Sequence, residues 1–118
     1  MKLNWDTVRR ILLAVEALPD ENSMIKSHKI TGIDPVDAAY HMRLMRDAGL
    51  ITGERIDSFG LPTWCYATGL TWDGHEFLGR IRSDTAWNRI KTAAREKDIP
   101  LGFDSIATLA RWLIEQAL

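Results

Sequence analysis

The sequence offers few residues of the types that enzymes use for nucleophilic or metal-assisted catalysis. Its one cysteine is Cys65, and its three histidines are His28, His41 and His75. These residues do not stand at metal-ligand spacing, because the pair His75-Glu76 lacks the second helical histidine of a zinc-protease helix. The glycines are scattered as turn and cap residues and form no phosphate-binding loop. We therefore expect that the chain is not an enzyme and that it takes no metal or cofactor.

Basic side chains in the middle of the chain could instead contact nucleic acid. Arginine can bond two guanine acceptors at once, and lysine or arginine pairs with backbone phosphates. The residues predicted to make such contacts are Lys29, His41, Arg43, Arg46 and Arg55. Lys26 and His28 could add phosphate contacts beside Lys29. The formal net charge of −1 argues against a broadly basic surface, so any face that binds DNA would be local.

The same region could instead bind a protein. Asp34 and Asp37 stand at the start of the helix that carries these arginines, and their carboxylates would repel the DNA backbone. Tyr40 and Leu44 lie one helical turn apart and give the exposed face an apolar pair, which suits contact with a protein. Three interpretations stay open at this point: the partner is duplex DNA, the partner is a host protein, or the face is only solvated.

The helices that would position these residues carry recognisable caps. A first helix is predicted from Asn4 to about Leu18, where Pro19 ends it. Asp34 caps a second helix over about Pro35–Asp47, and Gly49 provides its C-terminal cap. The residues predicted to face the core from this second helix are Ala38, Met42 and Met45.

A hairpin is predicted directly after the second helix. Its strands are Leu50–Arg55 and Thr63–Leu70, and the loop between them contains the turn residues Gly60 and Pro62. A capped helix that leads into such a hairpin is typical of the recognition helix and wing of a winged helix. The segment Met24–Ile30 is consistent with either a short strand or a helical turn.

Three more helices complete the predicted fold. The first has Thr71 as its N-cap, the second begins at Ser83 or Asp84, and the last is capped by Asp104. We therefore predict an α+β fold that is mostly α. It is a winged helix-turn-helix with a two-stranded wing in residues 1–82 and a helical extension in residues 83–118, packed on the same domain.

Trp112 does not fit the core stripe of the last helix, since it lies more than a quarter turn away from that stripe. It either packs on the preceding helix or forms an exposed aromatic anchor for a partner. Winged-helix proteins often associate through added helices. We therefore predict a homodimer that is joined mainly by the C-terminal helices.

Three blocks of the sequence resemble a known family. They run from Tyr40 to Ile51, from Leu70 to Leu78 and from Asp84 to Asn88. The middle block, Leu-Thr-Trp-Asp-Gly-His-Glu-Phe-Leu, is the most specific of the three. Together they are similar to a prophage-associated family known as domain of unknown function 2513, over residues 1 to about 97. The resemblance implies a phage or prophage origin and a winged-helix-like fold, and it implies no activity.

The remaining sequence features indicate a cytoplasmic protein. A lone cysteine cannot form an internal disulfide, and charges at Arg9, Arg10 and Glu16 interrupt the only apolar run near the N-terminus. No segment approaches the roughly 18 apolar residues of a membrane span. We therefore expect a phage or prophage winged-helix protein that binds DNA or regulates transcription. The alternative is an accessory protein that uses the winged helix as a scaffold for binding a host factor or defence system.

Overall fold

The computed structural model describes residues 1–117 and shows an α+β fold with a three-stranded antiparallel sheet. The elements in chain order are α1 (Trp5–Glu16), β1 (Ile25–Lys26), a 3-10 turn (Ser27–Lys29), α2 (Pro35–Asp47), β2 (Ile51–Ile56), β3 (Trp64–Leu70), α3 (Trp72–Ile81), α4 (Asp84–Glu96) and α5 (Phe103–Ala117). This order of helix, strand, helical turn, helix and hairpin is consistent with the winged helix expected from the sequence. Leu118, the last residue of the predicted extension, lies outside the described residues.

The chain divides into two compact units. One comprises Met1–His75 and the other begins at Glu76. The boundary between them therefore falls inside α3, whereas the predicted division after residue 82 keeps this helix whole. None of the helices in residues 1–117 is long and apolar enough to cross a membrane.

The first helix forms where the sequence predicts it, because Asn4 satisfies its free N-terminal amides. The Asn4 Oδ1 atom accepts hydrogen bonds from the backbone N–H groups of Asp6 at 2.9 Å and Thr7 at 3.2 Å. The buried residues of α1 follow helical spacing and are Val8, Ile11, Leu12 and Val15. The helix ends at Glu16, two residues before the predicted end.

The second helix has the predicted bounds. The Asp34 carboxylate accepts hydrogen bonds from the backbone N–H groups of Val36 and Asp37, and Pro35 occupies the first turn, where its missing N–H costs nothing. After Asp47 the chain turns through Gly49, whose φ of +78° is a conformation that glycine adopts easily. The predicted core residues Ala38, Met42 and Met45 are buried, together with Ala39 and His41.

The hairpin of β2 and β3 is the predicted wing, and β1 extends it on the other edge of β3. The register pairs Ile51 with Leu70 and Ile56 with Trp64, and β1 pairs with β3 through Ile25 and Ala67. The segment Met24–Ile30, for which the sequence allows a strand or a helical turn, contains both, since β1 is followed directly by the 3-10 turn.

The register between β2 and β3 shifts between Thr52 and Gly53, because Thr52 pairs with Gly69 and Gly53 pairs with Ala67, which leaves Thr68 of β3 as an extra residue. Gly53 has a φ of +155°, and a side chain here would overlap the carbonyl oxygen of Tyr66. Only glycine therefore fits this position.

The C-terminal helices have two of the three predicted caps. Thr71 Oγ1 accepts a hydrogen bond from the Gly74 backbone N–H at 3.0 Å, and Ser83 Oγ accepts one from the Ala86 N–H at 2.9 Å. The prediction that Asp104 caps the last helix is wrong. This helix already begins at Phe103, because the Gly102 carbonyl accepts the first helical hydrogen bond, from Ile106. Asp104 lies in the first turn instead.

Candidate functional site

His41 lies in the core of the first unit and not on its surface. Its side chain is 0% exposed, and its Nε2 atom accepts a hydrogen bond from the Asn4 backbone N–H at 2.9 Å. Since Nε2 is the acceptor, Nδ1 carries the proton and donates to the Asp37 carbonyl oxygen at 2.9 Å. The prediction that His41 contacts nucleic acid is therefore wrong, because both ring nitrogens are used inside the fold.

The two arginines of α2 lie on the surface, as predicted, but each is paired with a carboxylate. Arg43 lies 3.5 Å from Asp47, one helical turn further along α2. Arg46 lies 3.4 Å from Glu54 on β2. Both pairs are partly exposed to solvent, so they contribute little stability. Their consequence is electrostatic, since each guanidinium charge is offset by a nearby carboxylate.

The predicted wing arginine is paired in the same way. Arg55 Nε lies 3.1 Å from the Asp57 carboxylate, which also accepts a 2.6 Å hydrogen bond from the Thr63 hydroxyl. The hydrogen bond from Thr63, assisted by Arg55, lowers the pKa of the Asp57 carboxyl against a smaller opposing effect of desolvation. Asp57 is therefore ionised at neutral pH and offsets the charge of Arg55.

Lys29 lies apart from these ion pairs, next to His28 in the 3-10 turn. We call Lys26, His28, Lys29 and Trp64 the Trp64 cluster, in which Lys26 and His28 contact the Trp64 ring and Lys29 follows them in the chain. The Lys26 ammonium lies 5.6 Å from the centre of the Trp64 ring, and the His28 ring meets the same ring edge-on at 5.7 Å. Lys26, His28 and Lys29 are exposed. Within residues 1–117, neither lysine forms an ion pair with a carboxylate. The cluster therefore presents positive charge beside an aromatic ring.

Tyr40 and Leu44 lie on the exposed side of α2, as predicted, and both are half-buried. Val36, one turn before Tyr40, extends this pair and is 57% exposed. We call Val36, Tyr40 and Leu44 the apolar stripe. Val36 is not among the residues predicted to bind a partner, although its four-residue spacing from Tyr40 places it on the same side of the helix. The guanidinium carbon of Arg43 lies 5.6 Å from the centre of the Tyr40 ring and borders the stripe.

A groove with a volume of about 450 Å³ lies between α2 and the wing, and we call it the α2–wing groove. Its apolar lining is formed by Met1, Val36, Ala39, Tyr40 and Pro62. Its polar lining is formed by Arg43, Arg55 and Thr63, and Cys65 completes it. No carboxylate of the described residues is among these lining residues. The groove therefore combines an apolar surface with two cations.

Cys65 is a buried thiol. It is 3% exposed, and its Sγ donates a hydrogen bond to the Ala39 carbonyl oxygen at 3.4 Å. Burial raises the pKa of the Cys65 thiol, because the thiolate would lose its hydration. Among residues 1–117, no three histidine, cysteine or carboxylate side chains are grouped so that they could hold a metal ion.

Trp112 lies beside the preceding helix and is also partly exposed, so it shares features of both predicted alternatives. It lines a second groove, of about 650 Å³, together with α4 residues that include Thr92 and Glu96. The Lys97 ammonium lies 4.5 Å from the centre of its ring. The side chain is nevertheless 37% exposed, and Ile114 is 65% exposed. Trp112 therefore borders α4 and still presents an aromatic surface to solvent.

Comparisons with known proteins identify relatives of the chain but no activity. Residues 2–100 match a family model described as "Hypothetical protein (DUF2513)". The chain is 40% identical over 119 residues to an uncharacterized protein of Haemophilus influenzae, and the alignment covers 100% of this chain and 99% of that protein. No solved structure matches the chain. The resemblance to domain of unknown function 2513 is thereby confirmed, and α5 lies beyond the family match but within the alignment with the relative.

Proposed function

The chain belongs to the DUF2513 family, and we propose that it is a protein-binding module that receives a partner at the apolar stripe and the α2–wing groove. On the basis of the family resemblance, we place this module among phage or prophage accessory proteins, with a host factor as its partner. The proposal makes α2 a protein-binding helix, although the corresponding helix of many winged-helix proteins reads DNA.

The apolar stripe is the observation that carries this proposal. Val36, Tyr40 and Leu44 repeat every four residues and thus lie along one side of α2. A helix that reads DNA would place polar side chains here, because base edges and phosphates are recognised by hydrogen bonds and charge. Exposed apolar and aromatic side chains next to an arginine are instead typical of the central residues of protein interfaces.

The charges of α2 and the wing support the same conclusion. Three arginines and three carboxylates form three pairs here, Arg43 with Asp47, Arg46 with Glu54 and Arg55 with Asp57. The formal charge of these six residues is therefore zero. Binding along the phosphates of duplex DNA needs a run of unbalanced cations, which these six residues do not provide, although each paired guanidinium keeps N–H donors for a single acceptor group.

A second candidate function is nucleic-acid binding at the Trp64 cluster. It is favoured by the exposed lysines Lys26 and Lys29, which have no paired carboxylate among the described residues, and by the adjacent Trp64 ring. This cluster does not extend the α2–wing groove. Trp64 and Cys65 are neighbours on β3, so their side chains point to opposite faces of the sheet, and Cys65 is the residue that lines the groove. The two candidates therefore predict contacts at different faces.

The two tyrosines of the chain allow a matched test of the proposal. Tyr40 lies on the apolar stripe, and Tyr66 lies on the same face of the sheet as Trp64; both are half-buried. Each would be replaced in turn by the photo-crosslinking residue p-benzoylphenylalanine, and cells that encode the chain would be irradiated. We expect discrete protein adducts at position 40 that withstand nuclease, and none of the same mass at position 66. The proposal would be overturned if nuclease removed the adducts at position 40, or if the same adducts formed at both positions.

A further inference from the structure

We infer that the α2–wing groove takes a short acidic segment of a protein, in which an apolar side chain enters the groove and the carboxylates beside it meet Arg43 and Arg55. This inference rests on the proposed function and names the chemistry of the partner.

The groove is large enough for a side chain and is lined to suit an apolar one. Its volume of about 450 Å³ lies at the lower end of the range for small-ligand sites, about 300–1,000 Å³. Val36, Ala39, Tyr40 and Pro62 supply apolar walls, and Val36 is 57% exposed. An apolar side chain that filled the groove would remove this surface from water.

The two arginines that line the groove favour acidic residues on either side of the partner's apolar side chain. Arg43 and Arg55 line the groove, whereas their partners Asp47 and Asp57 do not. A guanidinium carries five N–H donors, so one carboxylate leaves donors for another. Arg55 in particular contacts Asp57 through Nε, which leaves its two terminal nitrogens able to bind a second carboxylate. A basic segment would be repelled at the same place.

Both arginines are held in place before a partner arrives. Arg43 lies over the Tyr40 ring at 5.6 Å, and Arg55 is fixed by Asp57, which is itself held by the 2.6 Å hydrogen bond from Thr63. Arginines that are already ordered lose less conformational entropy on binding. Duplex DNA could also meet these two cations, but its phosphates would leave the apolar walls of the groove unfilled.

The probe is a library of random twelve-residue peptides, displayed on phage and selected against the full-length chain. We expect enriched peptides in which acidic residues flank one large apolar residue. The affinity of a selected peptide is then measured by fluorescence anisotropy for the wild type and for two matched variants, Arg43→Gln and Arg46→Gln. Both arginines lie on α2 and pair with one carboxylate, but only Arg43 lines the groove.

The expected result is that Arg43→Gln weakens peptide binding at least about tenfold, the effect of one charge-assisted hydrogen-bond pair. Arg46→Gln should change it less than about twofold. Arg43→Glu should restore binding to a peptide whose flanking acidic residues are replaced by lysine, which a merely structural effect of the substitution would not do. Thermal melts of all variants confirm that each is folded.

Four results would overturn the inference, and they differ in what they leave standing. The selected peptides could be basic or uncharged and still lose binding in Val36→Asp. That result would refute an acidic partner segment but would leave the protein-binding surface in place. Equal losses in Arg43→Gln and Arg46→Gln would do the same. If no enriched peptide lost binding in Val36→Asp, or if duplex DNA displaced the peptides in a manner that required Arg43, the proposed function would fall as well.

Discussion

The Asn4 backbone N–H donates a 2.9 Å hydrogen bond to Nε2 of His41, and this bond joins the start of α1 to the buried side of α2. The same Asn4 caps α1 through its side chain. Since His41 also donates to the Asp37 carbonyl, one buried imidazole satisfies a backbone group from each helix. The position of α2, and with it the apolar stripe, therefore depends on a histidine that does not reach the surface.

Replacing His41 with alanine should destabilise the first unit. The substitution leaves a cavity in a site that is 0% exposed and leaves the Asn4 N–H without its acceptor. We expect a loss of about 2–4 kcal/mol in the free energy of unfolding. Urea denaturation measures this loss, with His75→Ala, at an exposed histidine, as the control that should change the value by less than about 0.5 kcal/mol. Equal midpoints for the two variants would contradict the position of His41.

Two glycines of α3 should respond in opposite ways to the same substitution. A Cβ atom at Gly74 would overlap the Leu50 carbonyl oxygen, whereas a Cβ atom at Gly79 would meet no atom within 4 Å. Gly74→Ala should therefore destabilise the fold by about 1–3 kcal/mol, because backbone must move. Gly79→Ala should raise the stability by about 0.5–1 kcal/mol, because alanine favours the helix. Thermal melts of the two variants check this, and a Gly74→Ala protein as stable as Gly79→Ala would show that α3 does not approach Leu50 so closely.

The Cys65 thiol should be unreactive in the folded protein. It is 3% exposed, and burial raises its pKa, so less thiolate is present at any given pH than in a free cysteine. Labelling with Ellman's reagent at pH 8 should be far slower than for the protein in 8 M urea, and the native rate should increase as the pH approaches the raised pKa. Complete labelling of the native protein as fast as in urea would contradict the burial of Cys65.

The sequence predicts the elements well because their signals are local. Asn4, Asp34, Thr71 and Ser83 are caps that act within three residues of themselves, and the predicted bounds of α2 agree with the structure. The cap of α5 was wrong because Ser105 also bonds in this turn, to the Gly102 N–H at 2.8 Å. Asp104 and Ser105 are both residue types that bond to backbone N–H groups at a helix start, and the sequence does not show which of the two does so here.

The candidate site was harder to predict because it depends on distant partners. His41 stands three residues after Ala38 and four before Met45, a spacing that places it with the core, but a polar residue is assigned outward by default. Its acceptor role depends on Asn4, which is 37 residues away. The charge of Arg46 is offset by Glu54 on another element. The sequence around His41 and Arg46 does not reveal that Asn4 and Glu54 lie beside them. Both residues were therefore predicted to contact DNA.

The C-terminal helices should join two copies of the chain into a homodimer. Trp112 is 37% exposed and Ile114 is 65% exposed, which leaves apolar surface on both sides of the α5 core stripe. Light scattering after size exclusion should give twice the monomer mass for the wild type and the monomer mass for Trp112→Glu, whose thermal melt should still show a folded protomer. A wild-type monomer at high micromolar concentration would refute the dimer, and Trp112 would then be a residue of the α4–α5 contact.

The salt dependence of binding to duplex DNA tests most directly the claim that the surface of α2 and the wing is not a DNA-reading face. Each phosphate contact contributes about −0.9 to the slope of log K against log salt concentration. Because Arg43, Arg46 and Arg55 are paired with carboxylates, we expect weak binding and a slope no steeper than about −2 for the wild type. The double variant Asp47→Asn and Glu54→Gln, which releases Arg43 and Arg46, should steepen it by about −1 to −2. A wild-type slope steeper than about −6 would contradict the account, since it would require about seven phosphate contacts on a surface whose three arginines are all paired with carboxylates.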